Sequence, residues 1–267
     1  FIGSPTDYVG VPFQSPSIEF WFGTNGQGQD VFAQTIHGAR KTLFIAVLSG
    51  FLVVFFGAII GGVAGYFGGR LDDSLSLLIN VFLLLPGLPL MVILAAWLPP
   101  GSLTIIIVLV FTGWAWHARV LRSQVMAYRK QDFVCASKVC GESNFRIITI
   151  EILPRMLSLI TSSFIGATIY GIGAQVGLEF LGLGDISQVT WGTNLYWATN
   201  DLALLTGSWW TFVPTGVSIA LVSLSLTLIN FGIDELGNPR LISERHLGNR
   251  IGSSYDRNSA TPVRIRD

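Results

Sequence analysis

Charge is scarce in this chain: only 12% of its residues are Asp, Glu, Lys or Arg, about half the share of an ordinary soluble domain. Sixteen basic and sixteen acidic residues cancel, so no basic field draws nucleic acid and no acidic tail exists. Cysteine is scarcer still. Cys135 and Cys140 cannot build a disulfide framework, and five residues apart on a helix they point to different faces, unlike a pair of metal ligands. They read as bystander thiols in a reduced compartment. His37, His117 and His246 are far apart and none belongs to an H-E-x-x-H pair. Of the three lysines only Lys41 precedes a threonine, and Arg40 rather than glycine stands before it, which excludes a Walker loop. A G-x-S-x-G elbow is missing, and the glycines from Gly57 to Gly69 lack the strand-turn-helix setting of a dinucleotide site. An enzyme is therefore not expected.

What the chain has in quantity is apolar residue, 51% of the whole, with a mean hydropathy of +0.59 and long uncharged runs. A lipid solvent explains such runs better than one large aqueous core. Five stretches approach or exceed the roughly 20 residues a membrane helix needs. They are Thr42 to Phe67, Leu75 to Leu98, Leu103 to about Ala118 with an extension toward Met126, Met156 to Leu181, and Trp209 to Ile233. In the first, Gly57, Gly61, Gly62 and Gly65 have the small-residue spacing that lets helices approach closely in lipid. Pro86 and Pro89 predict a kink in the middle of the second, whose N-terminus Asp72 and Asp73 are placed to cap. No strand is needed, so the fold class is an all-α polytopic membrane protein.

Lys and Arg near the span ends set the orientation. With the loops after the first, third and fifth spans inside, fourteen of the sixteen basic residues are cytoplasmic; the reverse leaves two. The loop from Gly182 to Ser208 has Asp185 and Asp201 but no Lys or Arg, and Trp191, Trp197, Trp209 and Trp210 suit an outer headgroup belt. Residues 1–41 then form an external N-terminal segment with an interfacial helix. Residues 42–235 form the transmembrane part, with an inner loop at 127–155 and an outer loop at 182–208, and residues 236–267 form a disordered cytoplasmic tail. An external start without a translocation signal predicts a sixth span upstream of Phe1. Arg119 and Arg122 read as interface anchors, and His117 beside Trp116 as an interfacial ring.

Between the third and fourth spans the sequence predicts a helix-turn-helix shelf. A short amphipathic helix through Cys135 and Ala136 ends at Gly141, which suits a helix C-cap. A second starts at Ser143, a good N-cap, and Pro154 stands at the entrance to the next span, where proline is tolerated. Phe133, Val134 and Val139 are left to contact something, a partner or the lipid interface.

The order Cys135-Ala136-Ser137, Gly141, Pro154 resembles the E-A-A-x-x-x-G-x9-I-x-L-P loop of ABC importer permeases. The chain is most similar to the second permease of dipeptide/oligopeptide-type importers. Matching pieces are Phe22-Gly23-Thr24-Asn25, Gly28 to Phe32, Gly38-Ala39-Arg40, Ala64 to Gly69, Pro86, Trp114, Ala118-Arg119, Arg122, Phe180 to Gly184, Trp191-Gly192 and Asn238-Pro239-Arg240, in the family's order. The chain departs from the family at Asn25 and Gln29, where Asp and Arg are usual, at Cys135, where Glu is usual, at Asn80, often Asp, and at Glu179, often serine.

The resemblance implies a type I ABC importer transmembrane domain in the cell membrane of a prokaryote, C-terminus inside. Its partners would be a homologous permease, two cytoplasmic ATPases that bind ATP and Mg, and an external solute-binding protein. Cys135, Ala136, Ser137, Gly141 and Pro154 would form the ATPase-coupling loop, with no cofactor held by this chain. Asn80, Pro86 and Glu179 are the pathway or gate candidates, and a solvated interfacial place for Glu179 stays open. The cargo would be peptides, or alternatively oligosaccharides. A channel, which should show rings of charge or a filter, and a membrane interaction protein are the rival classes.

Overall fold

The computed structural model describes residues 3–237, with side-chain burial through Ile233. Asn238-Pro239-Arg240 and the basic tail lie outside the described residues. Among the described residues the architecture is helical, apart from one isolated bridge between Thr24 and Asp30.

Helix α1, Val31–Phe67, starts at Asp30, whose carboxylate accepts from the Phe32 amide at 2.9 Å, and runs unbroken for 37 residues. The expected separate interfacial helix is therefore the first turns of α1, because nothing between Val31 and Thr42 breaks the ladder. At about 55 Å, α1 is longer than the ~30 Å hydrocarbon core. It packs against α4, Ser102–Arg129, and α7, Leu157–Phe180.

The glycines of α1 explain that closeness. A Cβ on Gly61 would press into the Ala118 carbonyl oxygen and lie 3.0 Å from the Arg122 nitrogen, and one on Gly65 would lie 2.6 Å from the Arg122 carbonyl oxygen. Gly57 faces His117 in the same way, at 2.8 Å. Gly62, on another face, has nothing within 4 Å.

The second span differs from its expectation. It is two helices, α2, Gly69–Leu84, and α3, Gly87–Trp97, meeting at 87°. Pro86 pushes Leu85 into extended backbone, ψ 134°, and then serves as the N-cap of α3. Pro89 stands in the first turn of α3, where its missing N–H leaves no bond unmade. The result is a break rather than a kink. By length and composition the described chain offers four continuous membrane helices and this bent pair as a fifth span.

Asp72 does not cap α2; the N-cap is Gly68, without a side-chain bond. The Asp72 carboxylate instead takes both Nε and Nη2 of Arg122, at 2.5 and 2.7 Å. Arg119 donates to the Asn80 amide oxygen at 2.7 Å. The two arginines read as interface anchors thus fasten α4 to α2.

The fourth span is also less regular than expected. From Asn144 to Phe180 the chain is helical throughout, as α6, Asn144–Arg146, a π-helical stretch Ile147–Ile152, a 3-10 turn Leu153–Met156, and α7. Pro154 has no N–H to continue the α ladder, and the Leu153 amide reaches back five residues to the Ile148 carbonyl. Proline here is inside a continuous helix whose register it shifts, not at an entrance. The remaining helices are α5, Asp132–Val139, α8, Trp191–Asn200, and α9, Val213–Gly237.

Candidate functional site

The shelf between α4 and α7 is built by local rules. Helix α5 ends in a Schellman motif: the Glu142 amide donates to the Ser137 carbonyl at 3.1 Å and the Gly141 amide to the Lys138 carbonyl at 3.1 Å, with Gly141 at φ +78°. Ser143 then caps α6, its hydroxyl accepting from the Arg146 amide at 3.3 Å. Val134, expected to be left for a partner or the lipid interface, is instead fully buried in a cluster with Tyr66, Leu121, Val125, Ile147 and Ile152. Phe133 is half-buried beneath the Arg155 guanidinium, 3.5 Å from its ring centroid. The Tyr66 hydroxyl donates to Asn144 at 2.8 Å, and Lys138 lies 5.0 Å over the Tyr66 ring. The shelf is thereby fixed to the ends of α1 and α4 and continues into α7.

Its outer face is free of these contacts. Cys135, Ala136 and Cys140 are exposed, with Val139 at 88% and Phe145 at 77%. Pro154 is exposed nearby and Ser137 half-buried. An eight-residue helix with small residues and a protruding Val139, followed by a protruding Phe145 on α6, is anchored from below to α4 and to the helical stretch that continues into α7.

The pathway candidates are not brought together. Asn80 holds Arg119, and Pro86 marks the α2–α3 break. Glu179 is only 4% exposed. Its carboxylate accepts from Gln175 Nε2 at 3.0 Å, from Thr190 Oγ1 at 2.6 Å and from the Gly192 amide. Gly184 and Gly192 close over it, leaving no room for a Cβ. Trp191 beside it donates its amide to Thr42 and its indole N–H to the Thr35 carbonyl, both at 3.0 Å. Glu179 thus sits neither in a solvated interface nor in an open passage; it fastens the start of α8 to α7, next to the α1 contact. Replacing it by glutamine is expected to be mild, because Gln175 Oε1 is buried without a partner and can accept the new amide. Glu179→Ala strands three donors and is expected to cost about 2–4 kcal/mol. Thermal unfolding of the purified variants checks this, and equal losses would contradict it.

The cavity that sequence reading missed lies between α1, α4 and α7. It holds about 590 Å³, and Ser49, Thr112, Trp116, His117, Ser163 and Tyr170 are among its lining residues. His117, read as an interfacial ring, is half-buried in this wall. Nothing in any one helix marks these hydroxyls and rings as a group, and only the packing of three helices gathers them.

At the other end of α1, Asn25 and Gln29 carry the departure from the family's acid and base. Asn25 Nδ2 donates to Gln29 Oε1 at 3.0 Å, and Gln34 Nε2 to the same oxygen at 2.6 Å. These side chains form a neutral amide cluster. The Gln29 and Gln34 amides also reach the Thr6 and Pro5 carbonyls, at 3.2 and 3.3 Å, so the N-terminal segment folds back onto the start of α1.

The family pattern described as binding-protein-dependent transport system inner membrane component matches residues 55–242. The chain belongs to this family. It is 36% identical over 228 residues to the dipeptide transport system permease protein DppC of Bacillus subtilis, covering 85% of this chain and 70% of that one. To the oligopeptide transport system permease protein OppC of the same organism it is 32% identical, with 85% and 73% covered. Two structures of the inward-facing methionine ABC transporter MetNI share the fold, with TM-scores of 0.60 and 0.61 at 18% identity. The first covers 76% of this chain and 94% of the solved one. The chain is a permease subunit of an ABC importer, with the type I transmembrane fold and a place in the inner membrane.

Proposed function

We propose that this permease carries peptides, with the α5 shelf as the surface on which an ATPase subunit acts. The peptide cargo rests on the relatives named above. The shelf's role rests on one observation: its helix is anchored to α1, α4 and the π-helical stretch that leads into α7 on one side, and presents small and apolar residues on the other. The ATPase supplies hydrolysis from its own chain. Closure of two ATPases on two permeases moves each shelf as a rigid body and rocks the attached helices between inward and outward states. The cavity of Thr112, His117 and Tyr170 is the part of the wall that cargo meets, since these polar groups, gathered in an otherwise apolar wall at membrane depth, need protein, water or cargo against them. Glu179 and Trp191 hold the outer loop shut over that end, toward an external solute-binding protein.

Coexpression with its ATPase and partner permease tests the proposal. Di- or tripeptide presented by the binding protein should stimulate ATP hydrolysis. Stimulation by oligosaccharide alone would reassign the cargo, and no coupling of either would overturn the importer mechanism.

Orientation has its own expected result. Thr193, an obvious outer-loop position, is buried at 1% exposure under the Thr190 capping box, whereas Leu205 is 82% exposed. With Cys135 and Cys140 replaced by serine, Leu205→Cys should react with an impermeant reagent in sealed cells. Arg70→Cys, exposed in the first turn of α2, should react only once the membrane is opened. Equal labelling of both would reverse or abolish the topology.

A further inference from the structure

We infer that the outer end of α1 is a binding site for an anionic phospholipid. Two cavities meet there. The first, about 730 Å³, is a recess whose lining includes the polar side chains His37, Arg40, Lys41, Ser187 and Gln188. The second, about 540 Å³, is an apolar groove lined by Phe44, Val47, Leu48, Phe51 and Phe164 together with Arg40. Arg40 and Phe44 belong to both, so a cationic recess opens directly onto a channel for hydrocarbon.

Charge selects the head of the occupant. Arg40 and Lys41 are exposed and, among the described residues, neither forms an ion pair. Lys41 donates to the Gln188 side chain, which holds its ammonium at the recess. Asp185 is the acid close enough to feel Lys41; its Oδ1 accepts from the Ser187 amide at 3.0 Å and hydroxyl at 2.6 Å, and one carboxylate against Arg40 and Lys41 leaves a net positive charge. A phosphate diester offers what these cations lack. Serine and glutamine beside them can donate to or accept from a glycerol headgroup.

Depth selects the tail. From Arg40 to Phe51 α1 rises about 16 Å, close to half of the ~30 Å hydrocarbon core. One acyl chain of one leaflet therefore fits the groove from headgroup to midplane. The depth agrees with the hydropathy, because the uncharged run of α1 begins immediately after Lys41. Two cations at a membrane surface, each contributing about a fivefold preference for an anionic lipid, give about 25-fold together.

The test uses the assembled transporter, purified in detergent and equilibrated with equal amounts of dioleoylphosphatidylglycerol and dioleoylphosphatidylcholine, then read by native mass spectrometry. The expected result is phosphatidylglycerol retained about 25-fold over phosphatidylcholine, with Arg40→Gln/Lys41→Gln reducing the ratio to near one. Glycerol phosphate, which has the head without the tail, should not displace the lipid. Leu48→Trp, which fills the groove and leaves the cations intact, should lower retention of both lipids. Equal retention of the two lipids by the unaltered protein would overturn the inference, as would undiminished preference in the double variant. Displacement by glycerol phosphate would show an anion site without a lipid groove. Crosslinking of Val47→Cys to the second permease would show that protein covers this face, and either result sinks the proposal.

Discussion

Ala136→Trp is expected to insert, fold and lose its transport. Ala136 is exposed on α5, with its carbonyl committed to the Cys140 amide at 3.0 Å. An indole there disturbs nothing within the chain, so any defect belongs to a partner. If an ATPase groove closes over α5, a side chain of that size holds the surfaces apart, and uptake should fall to background with loss of ATPase copurification. Gly141→Val reaches the same end by another route. Nothing lies within 4 Å of a Cβ at Gly141, so valine meets no clash. Its cost is the backbone at φ +78°, about 1–2 kcal/mol in the left-handed region, enough to loosen the Schellman turn and tilt α5. Normal uptake with both substitutions would show that the shelf transmits nothing.

Gly61→Ala and Gly62→Ala are expected to have opposite signs although the residues are neighbours. Alanine gains roughly 1 kcal/mol over glycine inside an exposed helix. At Gly62 the methyl enters open space, and the variant should be as stable as the parent or slightly more. At Gly61 it meets the Ala118 carbonyl oxygen and the Arg122 nitrogen. These are backbone atoms of α4 that cannot rotate away, so the helices must separate, at a cost of about 1–3 kcal/mol or more. The movement would also strain the Arg122–Asp72 pair, which lies at the same level. Thermal unfolding in detergent should separate the two variants by several degrees. Equal melting temperatures would mean that α1 and α4 are not as close as described.

The spans were legible because length and hydropathy suffice for helices in lipid, and the shelf ends were legible because Gly141 and Ser143 act through local backbone chemistry. What the sequence hid was long-range. The Asp72–Arg122 pair spans 50 residues, and nothing local distinguishes Asp72 as a partner from Asp72 as a cap. Val134 and Val139 are equally apolar, and only contact with Ile147 and Ile152 decides which one is buried. Pro86 announced an interruption but not its 87° angle, which depends on what α3 packs against. Gly62 shared the small-residue spacing without sharing the contact. Glu179 looked like a carboxylate at the end of a span; its partners Thr190 and Gly192 lie at the start of α8, whose return to α7 no periodicity predicts. The Pro154 motif was recognised, while the π-helical register it imposes was not.

The most direct measurement of the account's central claim uses the two native thiols. Cys135 and Cys140 are both free and exposed on the shelf. Their rates of reaction with a maleimide should be compared in the permease pair alone and in the complete complex with its ATPases, before and after ATP is added. The account predicts fast labelling in the permease pair, strong protection in the complex, and protection that persists through ATP-driven closure because α5 moves with its ATPase. Labelling at the same rate with and without the ATPases would contradict it.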